Sequence, residues 1–128
     1  MQENDKKADN ILLNNKVKVS KLDMKVDENK KKLDSLDEME EVFYSLKKNI
    51  DNCVELLNHS IKGENVTREL NAISEDNQES FTNSIKDIDS KRDEIRKEIK
   101  ELYKQKEELS DKIKKEQEDK EEVDKDES

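Results

Sequence analysis

Residues 61–66 read Ile61-Lys62-Gly63-Glu64-Asn65-Val66, and this short stretch decides the fold. Gly63 is the only glycine in the chain, and there is no proline. On its N-terminal side, apolar residues recur at helical spacing from Ile11 to Ile61. On its C-terminal side the pattern resumes at Val66 and runs to Ile113. Apolar positions three and four residues apart line one face of a helix. The expected architecture is all-α: an antiparallel two-helix coiled-coil hairpin with one short turn. Gly63 is expected to take the left-handed conformation that ends a helix. Lys62 suits the negative end of the helix dipole, and Asn65 is the expected N-cap of the second helix.

Working outward from the turn sets the organisation. Residues 1–8 read as a flexible N-terminus, 9–62 as the first helix, 63–65 as the turn and 66–118 as the second helix. Residues 119–128 read as a disordered acidic tail. In the first helix the stripe Val19, Leu22, Val26, Asn29, Leu33 and Leu36 alternates steps of three and four. Met39 follows only three residues after Leu36, which predicts a stammer that overwinds the coiled coil locally. The stripe then continues through Phe43, Leu46, Ile50, Cys53, Leu57 and Ile61. In the second helix, four-residue steps between Ile73 and Ile85 predict a relaxed supercoil. Folding at the turn pairs residues whose numbers sum to about 127, which places Phe43 near Phe81 and Ile85 and Leu22 near Leu102.

Composition narrows the function. The chain has 128 residues, of which 29% are hydrophobic and 48% charged, too few apolar residues for a globule with a thick core. The net charge is −9, with lysines interleaved among acids, so no basic face collects for nucleic acid or an anionic membrane. No apolar run reaches the roughly 20 residues of a membrane span. Residues 1–5 lack the basic start and apolar run of a cleavable signal, which points to a cytoplasmic protein or one exported by a signal-peptide-independent route.

Little chemistry is offered. His59, beside the turn, reads as a surface residue, and Cys53, on the stripe, as a small buried hydrophobe. The carboxylates sit on solvated helix faces. Phosphate-binding loops, zinc spacings and nucleophile elbows are missing from the sequence. No catalytic, cofactor or metal site is expected, and an enzyme is not expected. Asn29, Asn77, Arg92 and Lys106 interrupt the stripe. Such residues either fix register by pairing, with Arg92 in reach of Asp34 or Asp37, or simply face water.

The stripe is wider than one partner helix covers. Leu13, Val17 and Met24 extend it near the start, and Val42, Tyr44, Val54 and Leu56 extend it beyond Met39. Half burial of a Leu or Ile contributes roughly 1 kcal/mol, against roughly 1–2 kcal/mol of backbone entropy per ordered residue. A lone hairpin is therefore marginal, and the surplus surface predicts further helices from another protein or a second copy. The expected partner-binding set is Leu13, Val17, Met24, Met39, Val42, Phe43, Tyr44, Val54, Leu56 and Phe81.

The segments Met39-Glu40-Glu41-Val42-Phe43-Tyr44, Ser80-Phe81-Thr82-Asn83-Ser84-Ile85 and Glu101 to Leu109 carry a resemblance. With the hairpin plan they resemble the small helical-hairpin partners of LXG-domain toxins in Gram-positive type VII (ESX) secretion. The resemblance spans roughly residues 10–115. It implies a targeting factor or chaperone that packs against the helical N-terminal domain of a cognate toxin, perhaps joined by a second small helical protein. The tyrosine-x-x-x-acid signal of ESX substrates would map onto Tyr103 and Glu107. The Trp-x-Gly turn of the best-known ESX hairpins is absent, because Lys62-Gly63-Glu64 stands there. A self-assembling coiled-coil scaffold is the alternative. A prefoldin-like subunit is disfavoured, since the turn leaves no room for its strands.

Overall fold

The computed structural model describes residues 2–126, with side chains described for 6–119 and 121. Two helices account for almost all of it: α1 (Gln2–Ser60) and α2 (Glu64–Asp126). They pack against each other as an all-α helical hairpin, with no strand among the described residues.

The turn is shorter than expected and built differently. It comprises Ile61, Lys62 and Gly63, and α2 already begins at Glu64. Gly63 does not adopt positive φ. Instead its carbonyl accepts the first bond of α2, from the Thr67 amide at 3.0 Å, while the Ile61 amide still donates to Leu57 at 2.9 Å. Gly63 is thus the N-cap of α2 rather than a left-handed terminator of α1, and Asn65 lies inside the first turn. A side chain at Gly63 would meet open space.

Both helices run past the boundaries read from the stripe. Helical backbone begins at Gln2 and continues to Asp126, into the expected flexible start and acidic tail. Interleaved Lys and Glu are good helix formers, and no Gly or Pro lies near to interrupt them. Met1, Glu127 and Ser128 lie outside the described residues.

The chain divides into two compact units. The first comprises Met1–Lys31 with Arg96–Ser128. Its α1 seam is Leu12, Asn15, Val19, Leu22, Val26 and Asn29; facing it are Ile99, Leu102, Lys106, Leu109, Ile113 and Glu116. Steps of three and four alternate strictly on both sides, the seven-residue repeat of a left-handed coiled coil. Leu22, Val26 and Leu102 form its buried core, with Ile99 and Leu109 packed against them. Polar residues bracket this core. Asn15 donates its amide to both oxygens of Glu116, at 3.1 and 3.4 Å, and Lys106 pairs with Asp23 at 2.7 Å.

The second unit is Lys32–Ile95. Its α2 seam is Val66, Leu70, Ser74, Asn77, Phe81, Ile85, Ile88, Arg92 and Ile95. From Val66 to Ile88 the same seam position recurs every eleven residues, so the relaxed supercoil expected there has a structural basis. Ile73, read as part of the stripe, is exposed, and Ser74 takes its place.

Candidate functional site: an apolar flank beside a polar seam

The expected stammer at Met39 does not form. After Leu36 the α1 seam steps four residues to Glu40 and proceeds through Phe43, Lys47, Asp51 and Val54. Met39, Val42, Leu46, Ile50, Cys53 and Leu57 are all exposed, as is Ile61 just beyond the helix. Each of the first five stands one residue before a seam residue, which on a helix is a rotation of about 100°. The apolar stripe has left the seam and become its flank.

Polar pairs across the seam account for this choice. Arg92 lies deep, its side chain 12% exposed. It donates to Asp37 at 2.8 and 3.2 Å, to Asp89 at 3.0 Å, and to Glu40. Glu40 first, then Asp37, hold its guanidinium firmly protonated. The Asn77 amide donates to Asp51 at 3.3 Å, and Lys47 donates to the other Asp51 oxygen at 2.8 Å. Lys47 first, then Asn77, draw the Asp51 carboxyl below the ordinary carboxylate range. An overwound helix that brought Met39 inward would rotate Glu40, Lys47 and Asp51 away from these partners and strain the backbone as well. Of the four polar interruptions, Asn77, Arg92 and Lys106 are paired across the helices. Asn29 is buried, at 3% exposure. The Arg92 partners are Asp37 and Glu40, with Asp37 one of the two carboxylates expected.

The aromatic cluster is offset by one residue from the expected pairing. Phe81 meets Tyr44 edge-on, with centroids 4.9 Å apart and planes at 69°, while Phe43 sits half-buried in the seam. Lys47 also lies over the Phe81 ring, 5.6 Å from its centroid. An open groove of about 720 Å³ beside this pair is lined by Tyr44, Lys48, Asp51 and Gln78 among others. Its charged Lys47 and Asp51 already engage each other.

The expected partner-binding residues therefore separate. Leu13, Val17, Met24, Met39, Val42, Tyr44 and Leu56 are exposed. Phe43 and Phe81 are half-buried, and Val54 is buried at 9% exposure, so it belongs to the hairpin's own core. Val54 was expected outside because the apolar stripe, not the polar one, was taken as the seam. For the same reason Cys53, expected buried, is exposed. His59 lies at the surface, 4.0 Å from Glu55. Tyr103 and Glu107 are exposed one turn apart, and Lys30 lies over the Tyr103 ring at 5.8 Å. Sequence reasoning missed Asn15 and Leu46. Asn15 continues the step of four back from Val19 and was legible as a seam position. Leu46 was assigned to the core.

No helix among the described residues is long and apolar enough to cross a membrane. Comparison with protein-family models, with curated proteins and with solved structures finds no match to this chain.

Proposed function

We propose that this chain is a non-enzymatic adaptor, a targeting chaperone that binds the helical N-terminal domain of a secreted toxin for type VII secretion. One observation carries the binding role. A continuous apolar flank, Met39 to Ile61, runs beside a seam whose own residues are largely polar. A flank of this kind leaves apolar surface in water that a further helix would cover, and contiguous exposed apolar patches mark interaction sites. Binding such a surface needs no pocket and no titratable centre. The toxin class and the secretion route rest on the resemblance of the aromatic segments and of Tyr103 and Glu107 to hairpin partners of LXG toxins.

The test is affinity capture of the full chain from its native cell under gentle conditions. The reading expects an LXG-type protein to be recovered, and recovery to fail with Leu46→Asp. Leu46 is 49% exposed and stands outside the hairpin seam, so its replacement spares the fold. Tyr103→Ala and Glu107→Ala are expected to preserve capture and reduce export of the toxin. Capture that recovers no such protein, or is indifferent to Leu46→Asp, overturns the reading.

A further inference from the structure

The flank from Met39 to Ile61 follows its own rule. Met39, Ile50 and Ile61 are spaced by eleven residues, as are Val42 with Cys53 and Leu46 with Leu57. Eleven residues over three turns gives about 3.67 per turn, so these side chains stay on one nearly straight line along the helix. The line is also close to symmetric about Ile50.

We infer that the flank is covered by the same flank of a second copy of this chain, antiparallel, with the two-fold axis passing beside Ile50. In that arrangement Met39 faces Ile61 of the second copy, Val42 faces Leu57, Leu46 faces Cys53 and Ile50 faces its own counterpart. Two-fold pairing of one patch with itself is the commonest closed interface. Two hairpins joined this way make a four-helix bundle around the turn-end unit, with the apolar flank inside.

Charge selects both the occupant and the direction. Glu38 comes opposite Lys62 of the second copy, Glu41 opposite His59, and Lys48 beside Asp51. No like charges meet between residues 37 and 63 in this pairing. A parallel pair would instead set Glu38 on Glu38, Glu41 on Glu41 and Lys48 on Lys48. Rim charges of this kind fix register and orientation more than they add affinity. The pairing does not rest on the adaptor reading. A partner helix that follows the same flank exchanges with the second copy.

Sedimentation equilibrium of the full chain, from about 1 µM to about 1 mM, tests the pairing. A monomer–dimer equilibrium is expected. Leu46→Asp should leave a monomer with undiminished helicity by circular dichroism. Glu38→Lys should weaken dimerisation several-fold, roughly the worth of two rim pairs changed from attraction to repulsion, and adding Lys62→Glu should restore it. Orientation is read from Leu46→Cys, oxidised with diamide. Mass spectrometry should find position 46 of one chain linked to native Cys53 of the other. A monomer at every concentration overturns the proposal. So does a dimer that ignores Leu46→Asp, a Glu38→Lys defect that Lys62→Glu fails to repair, or a 46-to-46 link.

Discussion

Asp51 on α1 accepts a hydrogen bond from the Asn77 amide of α2 at 3.3 Å, although the apolar Ile50 stands immediately before it. In the turn-end unit, then, α1 faces its neighbour with polar residues and turns its aliphatic side chains outward. This single rotation underlies both the candidate interface and the expectations that failed.

The seam of this unit should respond unusually to substitution. Arg92→Ala leaves Glu40 and Asp37 close together without their shared cation and is expected to lower the melting temperature clearly more than Arg96→Ala at an exposed site. Replacing the pair together, Arg92→Leu with Glu40→Leu, is expected to recover or exceed the original melting temperature, because apolar contact substitutes for a desolvated ion pair. Thermal melts followed by circular dichroism decide it. A double variant less stable than Arg92→Ala would contradict this account.

In the other unit the core is apolar and thin. Leu102→Ala removes a buried side chain packed against Leu22 and Val26, and should cost about 2–4 kcal/mol in urea unfolding. Asn29→Leu should act in the opposite direction, gaining on the order of 1 kcal/mol at a buried seam position, with some loss of register specificity. Equal unfolding midpoints for wild type and both variants would show that these positions are not in a packed seam.

The turn offers a sharp contrast between two backbone geometries. Were Gly63 left-handed, any side chain there would be strained. As an N-cap with open space around it, Gly63→Asp should instead stabilise the hairpin by a few tenths of a kcal/mol. Loss of stability on this substitution, by chemical denaturation, would restore the left-handed reading.

Two ionisable groups give opposite pH dependences. The folded-state pKa of Asp51 is lowered, chiefly by Lys47. Its contribution is therefore complete above the unfolded carboxylate range, near pH 4, and is lost as pH falls through the lower folded value. The folded-state pKa of Lys106 is raised, chiefly by the bond to Asp23. Its contribution is complete below the ordinary lysine range, about 10.4, and is lost as pH rises through the higher folded value. Urea midpoints across pH should flatten on the acid side with Asp51→Asn and on the alkaline side with Lys106→Met. Both effects are small because the groups are solvated.

Legibility in the sequence followed the strength of the local signal. Val19 to Leu36 and Ile85 to Ile113 were read correctly, because apolar residues there coincide with the seam. From Met39 onward two helical faces compete, one apolar and one carrying Glu40, Lys47 and Asp51. A rule that places apolar residues inside chose the wrong face, which moved Val54 outward and Cys53 inward. The candidate interface was legible as a surplus of apolar residues between Met39 and Ile61. Its membership was not.

From the amino-acid order alone came the helical class, the single reversal near Gly63 and the polar interruptions of the stripe, since periodicity and breakers act within a few residues of chain. Tertiary structure alone decided which of two faces, one residue apart on α1, meets α2. That choice depends on Arg92 and Asn77, which lie far along the chain and reach Glu40, Asp37 and Asp51 only once the helices are paired.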